Sequence, residues 1–278
     1  MKLGLIGYPI KYSLSPWIHE QFLQASGIEG EYELFEIKPD TSLKKVIKDM
    51  KKSGVKGVNV TVPYKQQIIP YLDGLDPVAS SIGAVNTIMV QNGKMIGYNT
   101  DGVGYIKGLN DIYPDFLSRQ TKCLIIGAGG AARSIYVTLS KYGIKHMDIV
   151  NRTQESAEDI ALLGEKHTAT NVLSWREAEN KAGYYDILIQ TTSIGMKPKI
   201  NEMIMSLDNV KEGSVVSDII YQPIHTTFLE HAKRNNALIL PGHVMLLYQA
   251  KEAFEIWTNQ KRNVTHLIEP LQHILEGR

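Results

Sequence analysis

The chain has 278 residues, 43% of them hydrophobic, and a formal net charge of +1. Such a length ordinarily divides into two domains with enough apolar residues for two cores, and the balanced, interspersed charge argues against a nucleic-acid or anionic-membrane partner. The lone cysteine, Cys123, excludes an intramolecular disulfide and reads as a buried thiol; with no apolar run approaching a membrane span and no signal-peptide pattern, a cytoplasmic location is expected.

In chain order, LGLIG reads as a strand. After the loop YPIKYSL, Ser15-Pro16 supplies an N-cap and a first-turn proline for a helix running to about Gly27. Ser13 and Ser15 place two hydroxyls where a carboxylate could be received, while Ser15 also reads simply as a cap. YELFEI is a strand. Leu43, Val46, Ile47 and Met50 mark an amphipathic helix ending at Gly54, with the lysines from Lys44 to Lys52 on a solvated face. In GVNVTVPYK, Val58, Val60 and Val62 alternate with Asn59 and Thr61, so the valines share one face of a strand until Pro63 ends it. Lys65 follows just past the carboxyl end, where open α/β sheets carry ligands, although alone it would be an ordinary surface lysine. AVNTIMVQNGKMIGYNTDG is a hairpin about Asn92-Gly93. It delivers Asn86 early and Asp101 at its end, where Asp101 also reads as a turn or cap residue. The domain boundary is placed near residue 102.

The next informative stretch is LIIGAGGAARS, Leu124 to Ser134. A buried strand breaks into Gly127, Ala128, Gly129 and Gly130 before Ala131 and Ala132 open a helix, matching G-x-G-x-x-G/A. Gly127 permits the tight turn, Gly129 lets the backbone approach a pyrophosphate, Ala132 lets helix and strand pack closely, and the N–H groups at the helix start face the phosphates. The helix stops near Gly143, and HMDIV is the second strand. It ends in Asn151-Arg152-Thr153, with no carboxylate to repel a 2′-phosphate and with the Arg152 guanidinium able to pair with one, so the cofactor is read as NADP(H). A turn that binds nothing is the competing reading of the glycines.

Downstream, DILIQ, SVVSD and LIL read as strands and FLEHA as a helix; Asp218, Tyr221 and Pro223 follow SVVSD. Tyr221 also reads as an amphipathic core residue with a wet hydroxyl. In HVMLLYQAKEAFEIWT, Gln249 lies in an apolar stripe with Leu246, Ala250, Ala253 and Trp257, so its amide needs a polar neighbour or a ligand. Val264 to Leu275 is helical by its spacing, and Pro270 is expected to kink or split it. The histidines show no metal-ligand spacing such as H-E-x-x-H, so no metal is expected.

Together these pieces resemble one family, the shikimate dehydrogenases, nearly end to end: SLSP from Ser13, NVTVPYK from Asn59, GAVNT from Gly83, NTDG from Asn99, GAGGAA from Gly127, NRT, then DIIYQP and MLLYQ. The resemblance implies an α/β substrate domain, 1–101 with 243–278, a Rossmann-type NADP-binding domain, 102–242, and an active site in the cleft between them. It assigns Ser13, Ser15 and Tyr221 to the substrate carboxylate, Asn59, Thr61, Asn86 and Gln249 to ring hydroxyls, and Lys65 with Asp101 to proton transfer. It puts Gly127, Ala128, Gly129, Gly130, Ala131, Asn151, Arg152, Thr153, Ser156, Ile219 and Gly242 at the cofactor. The chain departs from the family pattern at Ser156, where a second basic residue is frequent, at Gln190, where Asn is usual, and at His243-Val244, where small residues are common. The implied activity is reversible NADPH-dependent reduction of 3-dehydroshikimate to shikimate. A small-molecule substrate is the expected partner, and a homodimer is compatible with this reading. Two alternatives stand beside it: a relative that oxidises quinate or shikimate with NAD as well, and a non-catalytic NADP(H)-binding regulatory module, which would be expected to have lost Lys65 or Asp101.

Overall fold

The computed structural model describes residues 1–277, and backbone contacts divide the chain into two units, Met1–Asp101 with Gln249–Arg262 and Gly102–Tyr248 with Asn263–Arg278. The first unit contains β1 (Lys2–Gly7), α1 (Ser15–Ser26), β2 (Glu31–Glu36), α2 (Leu43–Met50), β3 (Gly57–Val60), α3 (Tyr64–Gln67), β4 (Gly74–Leu75), α4 (Pro77–Ile82), β5 (Thr87–Gln91) and β6 (Lys94–Tyr98). Their sheet runs β2-β1-β3-β5-β6-β4, with β5 antiparallel to both β3 and β6. Asn92 and Gly93 both take positive φ, 52° and 74°, as the tight hairpin turn between β5 and β6 requires.

Alternation sorts the two faces of this sheet. Ile6, Val58, Val60 and Ile88 point into an apolar core with Ile47 and Met50 of α2. The opposite face, which carries Leu3, Leu5, Tyr32 and Asn59, holds an aromatic group in which His19, Phe22, Phe254 and Trp257 meet. The valine stripe stops sooner than the alternation predicts: β3 ends at Val60, Val62 is 67% exposed, and the chain turns at once into α3. Ser15 is not the cap of α1 either. The N-cap is Leu14, with no side-chain hydrogen bond, and Ser15 is the first helical residue, which leaves its hydroxyl out of the capping role.

The second unit is doubly wound. It contains most of α5 (Asp101–Ile112), then β7 (Lys122–Ile126), α6 (Gly130–Tyr142), β8 (His146–Val150), α7 (Gln154–Ala161), β9 (Val172–Leu173), α8 (Trp175–Asn180), β10 (Ile187–Gln190), β11 (Val215–Asp218), α9 (Thr227–Arg234) and β12 (Leu238–Leu240). All strands are parallel, in the order β12-β11-β10-β7-β8-β9. The strand order reverses between β7 and β10, the switch point at whose carboxyl ends open α/β sheets hold ligands.

Helix α10 (Gly242–Thr258) starts in this unit and passes into the first at Gln249, while α11 (Ile268–Glu276) belongs to the second. The sequence reading gave residues 243–278 whole to the first domain. The backbone divides them because the first turns of α10 pack on α5: the Tyr248 hydroxyl donates to Asp111, and a Cβ on Gly108 would meet Val244 at 2.8 Å. Pro270 causes no kink. It sits in the first turn of α11, where its missing N–H leaves no bond unmade, and a short 3₁₀ turn at Thr265–Leu267 precedes that helix.

Gly57 shows how tightly α10 closes the first unit. A Cβ there would lie 2.4 Å from the Trp257 ring, whose Nε1 donates to the Ile88 carbonyl at 2.9 Å. Gly57→Ala is therefore expected to lower unfolding stability by about 1–3 kcal/mol, measured as a shift in the urea midpoint without a change in slope.

Candidate active site

In the first unit the sequence motifs converge on one buried amide. Asn86 is 2% exposed, and both of its polar atoms are fully engaged. Its Oδ1 accepts from the Thr100 N–H at 2.8 Å and the Thr87 hydroxyl at 3.0 Å, while the Thr100 hydroxyl donates to the Gln249 carbonyl at 2.9 Å. Its Nδ2 donates to Asp101 Oδ1 at 2.8 Å and reaches Thr100 Oγ1 at 2.9 Å and Gln249 Oε1 at 3.4 Å. One oxygen of Asp101 is thereby taken, and the other accepts Lys65 Nζ at 2.6 Å. Asp101 is almost fully buried while the Lys65 side chain remains 21% exposed, so the ion pair has one open side.

The fold places this pair from three directions. The end of β3 and the turn into α3 carry Lys65, whose backbone carbonyl accepts from the Val85 N–H at 2.8 Å. The hairpin brings Asn86, and Asp101 opens α5, where Asn99 Oδ1 accepts the Asp101 N–H at 3.1 Å. Asn99 therefore serves the helix start, and the Asp101 carboxylate is left for Lys65 and Asn86 rather than for a cap.

Ser13 and Ser15 lie together, their hydroxyls 3.2 Å apart, and Ser13 Oγ also accepts the Ser15 N–H at 3.2 Å. Thr61 is half-buried just past β3, with its backbone N–H held by the Ile6 carbonyl at 2.9 Å. Gln249 has the polar neighbour its position demanded, in Asn86. Asn59 differs from the expectation of a ring-hydroxyl donor. Both its amide protons are already engaged, with the Asn86 carbonyl at 3.2 Å and Thr87 Oγ1 at 3.1 Å, and its Oδ1 accepts the Tyr32 hydroxyl at 2.7 Å. Tyr32, Thr87 and Thr100 were missed as site residues, although the two threonines stand inside the motifs that flagged Asn86 and Asp101. Tyr32 left no such mark, being one residue of an ordinary strand.

The second unit carries a dinucleotide-type turn at its switch point. Gly127 has φ +111°, and a Cβ there would meet Thr191 Oγ1 at 2.5 Å, so both conformation and space require glycine. Around Gly129, by contrast, an added Cβ meets nothing within 4 Å, and α6 starts there with no side-chain cap. Open space beside uncapped N–H groups, at Gly129, Gly130 and Ala131 and next to Ala128, is what a pyrophosphate needs. After β8, Asn151 Nδ2 holds the Thr153 carbonyl at 2.8 Å and shapes the turn into α7. Arg152 is exposed and has no partner among the described residues, and Ser156 sits half-buried in the first turn of α7. Ile219 and Gly242 are neighbours: a Cβ on Gly242 would lie 2.3 Å from the Ile219 carbonyl. Tyr221 lies in the loop after β11, and burial raises its phenol above the ordinary range.

Gln190 explains how the loop after β10 tolerates a longer amide than Asn. Its Oε1 accepts the Thr192 N–H, and its Nε2 donates to the Ile194 carbonyl at 3.1 Å and to Asp218 Oδ1 at 3.3 Å. His243, at the start of α10, is 3% exposed with neither ring nitrogen hydrogen-bonded, and burial lowers its pKa to about 4.

A doubly wound dinucleotide-type unit and a separate α/β unit bearing a lysine–carboxylate pair together define a class, the two-domain nicotinamide-dependent oxidoreductases. Family models narrow it: the shikimate dehydrogenase substrate binding domain matches residues 5–88, shikimate / quinate 5-dehydrogenase matches 113–222, and the shikimate 5′-dehydrogenase C-terminal domain matches 242–265. The chain is 47% identical to the NADP(+) shikimate dehydrogenase of Oceanobacillus iheyensis over 280 aligned residues, covering 100% of this chain and 99% of that protein. Its fold superposes on the shikimate 5-dehydrogenase of Thermus thermophilus, solved with NADP(H) and shikimate, with a TM-score of 0.88, 27% identity and coverage of 98% and 99%. A quinate dehydrogenase of Corynebacterium glutamicum solved with NAD gives a TM-score of 0.89 at 26% identity, covering 97% of each chain. This chain belongs to the shikimate dehydrogenase family. Among the described residues, no helix is long and apolar enough to cross a membrane.

Two predictions follow from the second unit. With Arg152 as the 2′-phosphate partner, Arg152→Ala is expected to weaken NADP⁺ binding about 10- to 100-fold while leaving NAD⁺ binding nearly unchanged, as read by titration of each cofactor. Asp218 is fully buried, and burial raises its carboxyl from 3.8 to about 7 against hydrogen bonds from the Ile220 N–H, the Thr226 hydroxyl and Gln190. Between those two values the folded protein retains a proton that the unfolded chain releases. This group's stabilising contribution is therefore full below about 4 and is lost as pH rises to about 7. Asp218→Asn, neutral throughout, should flatten that decline in urea midpoints taken across the interval.

Proposed function

We propose that this chain catalyses the reversible NADPH-dependent reduction of 3-dehydroshikimate to shikimate, a step of chorismate and aromatic amino acid biosynthesis, in the cytoplasm. The observation that carries the reading is the Lys65–Asp101 pair at 2.6 Å, with the second Asp101 oxygen held by Asn86. NADPH, when bound, supplies a hydride from its nicotinamide C4 to the ketone carbon of the substrate. The chain's own work is to hold the substrate and manage the proton. Lys65, as an ammonium, donates a proton to the ketone oxygen as it becomes an alcohol, and in the oxidation direction the neutral amine takes it back. Asp101 keeps the ammonium aimed, and Asn86 keeps Asp101 from rotating.

Ser13 and Ser15 supply hydroxyls for the substrate carboxylate, with Tyr221 as a third. Thr61 and Gln249 serve the ring hydroxyls, and Asn86 does so by giving up its long 3.4 Å contact with Gln249 Oε1. Asn59 acts from behind, since both its amide protons are engaged inside the protein. The cofactor side fits NADP(H): space at Gly129, uncapped N–H groups at α6 and an unpartnered Arg152 suit two phosphates and a 2′-phosphate. Ile219 and Gly242 bring two backbone segments close enough to flank a flat ring. The units serving these roles are Met1–Asp101 with Gln249–Arg262 for substrate and Gly102–Tyr248 with Asn263–Arg278 for cofactor. The present Lys65 and Asp101 argue against a non-catalytic module, and Arg152 without an acidic partner argues against NAD as the main cofactor.

The test is the initial rate of nicotinamide reduction with shikimate or quinate, each with NADP⁺ or NAD⁺, for the wild type and Lys65→Ala. Turnover is expected with shikimate and NADP⁺. The Lys65→Ala variant should lose about 10²–10⁴ in kcat with little change in KM for shikimate. Comparable rates with quinate or NAD⁺ would replace this reading with the broader one, and an unaffected variant would remove Lys65 from the mechanism.

A further inference from the structure

The hydrogen bonds around Asn59 form a chain with one sense. The Tyr32 hydroxyl donates to Asn59 Oδ1 at 2.7 Å, Asn59 Nδ2 donates to Thr87 Oγ1 at 3.1 Å, and the Thr87 hydroxyl donates to Asn86 Oδ1 at 3.0 Å. Asn86 Nδ2 then donates to Asp101 Oδ1 at 2.8 Å, and Lys65 occupies the other oxygen. Chemistry sets the sense. The Asn86 backbone carbonyl, 3.2 Å from Asn59 Nδ2, can only accept, so the Asn59 amide turns its NH₂ that way and its oxygen to Tyr32.

Tyr32 is itself held firmly. It is 6% exposed, and the His19 ring stacks on it at 4.4 Å with the planes only 5° apart. His19 is wholly buried one turn along α1 from Ser15, and neither of its ring nitrogens has a hydrogen-bond partner among the described residues. Burial lowers its pKa to about 3, so it stays neutral and serves as a flat wall against Tyr32.

We infer that Tyr32 is a positioning residue: by holding the Asn59 amide in one orientation it heads an unbroken donor chain that fixes the Asp101 carboxylate toward Lys65. The inference rests on the reading of Lys65 and Asp101 as the proton-transfer pair. Donors aligned in one sense polarise one another, so a break at the head is felt at the carboxylate.

A kinetic cycle tests it. Tyr32→Phe keeps the ring and its stack on His19 while removing the donor, and Thr87→Val breaks the next link at nearly constant volume. Each single variant is expected to lower kcat for shikimate oxidation about three- to tenfold with KM for NADP⁺ unchanged, and the double variant to be no worse than the poorer single one. A purely structural Tyr32 would lower the melting temperature without this kcat loss. Rates of Tyr32→Phe within about twofold of wild type, or losses that multiply in the double variant, would overturn the chain. Should Tyr32→Phe fail to fold, Asn59→Ser removes the amide it orients and takes its place in the cycle with the same expected outcome. Absence of wild-type turnover would overturn the reaction and the inference together, whereas turnover with multiplying losses would overturn the inference alone.

Discussion

A buried carboxylate shared between an amide and an ammonium organises the first unit. Asp101 has little water to stabilise its charge, so its oxygens need donors from the protein, and Asn86 and Lys65 supply them. That requirement propagates outward. Asn86 can face Asp101 only if its own oxygen is satisfied, which Thr87 and Thr100 do. Thr100 in turn donates to the Gln249 carbonyl at 2.9 Å, which ties α10 to the same cluster. The pairing of β3 with β5, in which Asn59 lies opposite Thr87, is the register in which all these partners meet.

The second unit meets a different constraint, the space a dinucleotide would occupy. Small residues occur there for two opposite reasons. At Gly127 and Gly242 the neighbouring chain leaves no room for a side chain, with Thr191 and the Ile219 carbonyl pressing in. At Gly129 there is room, and no protein atom fills it. Gly127 and Gly129 lie at the switch point between β7 and β10, where open α/β sheets hold ligands, whereas Gly242 follows β12 and packs on the segment after β11. Gln190 and Thr226 hydrogen-bond the Asp218 carboxyl, which burial raises above the ordinary range.

Specificity divides between the units. Arg152 is exposed and has no partner among the described residues, so its charge is not spent on the fold they form. In the proposed function, substrate choice rests on side chains whose positions are inherited from buried neighbours, so residues that touch no ligand can govern it. Tyr32 and His19 are of that kind. Neither belongs to a recognisable motif, yet the Tyr32 hydroxyl holds one end of the Asn59 amide and the His19 ring stacks on Tyr32.

Much of this was legible in the sequence. Short-range rules were enough for the glycine turn with its flanking strand and helix, the Asn92-Gly93 hairpin, and strands β7, β8, β10, β11 and β12, because turn geometry and apolar patterning act over a few residues; the two-residue β9 left no such mark. The resemblance named Lys65 and Asp101 and their companions by position. Where the structure differs from the sequence reading, the path of the backbone decided the outcome. Ser15 lost its capping role because the helix begins one residue early, the valine stripe ended before Val62 because the chain turns into α3, and α10 was divided because its first turns pack on α5. The direction of the Asn59 amide was undetermined by any local pattern. An amide has two chemically different ends, and only the tertiary structure, by placing a carbonyl on one side and the Tyr32 hydroxyl on the other, decides which way it faces.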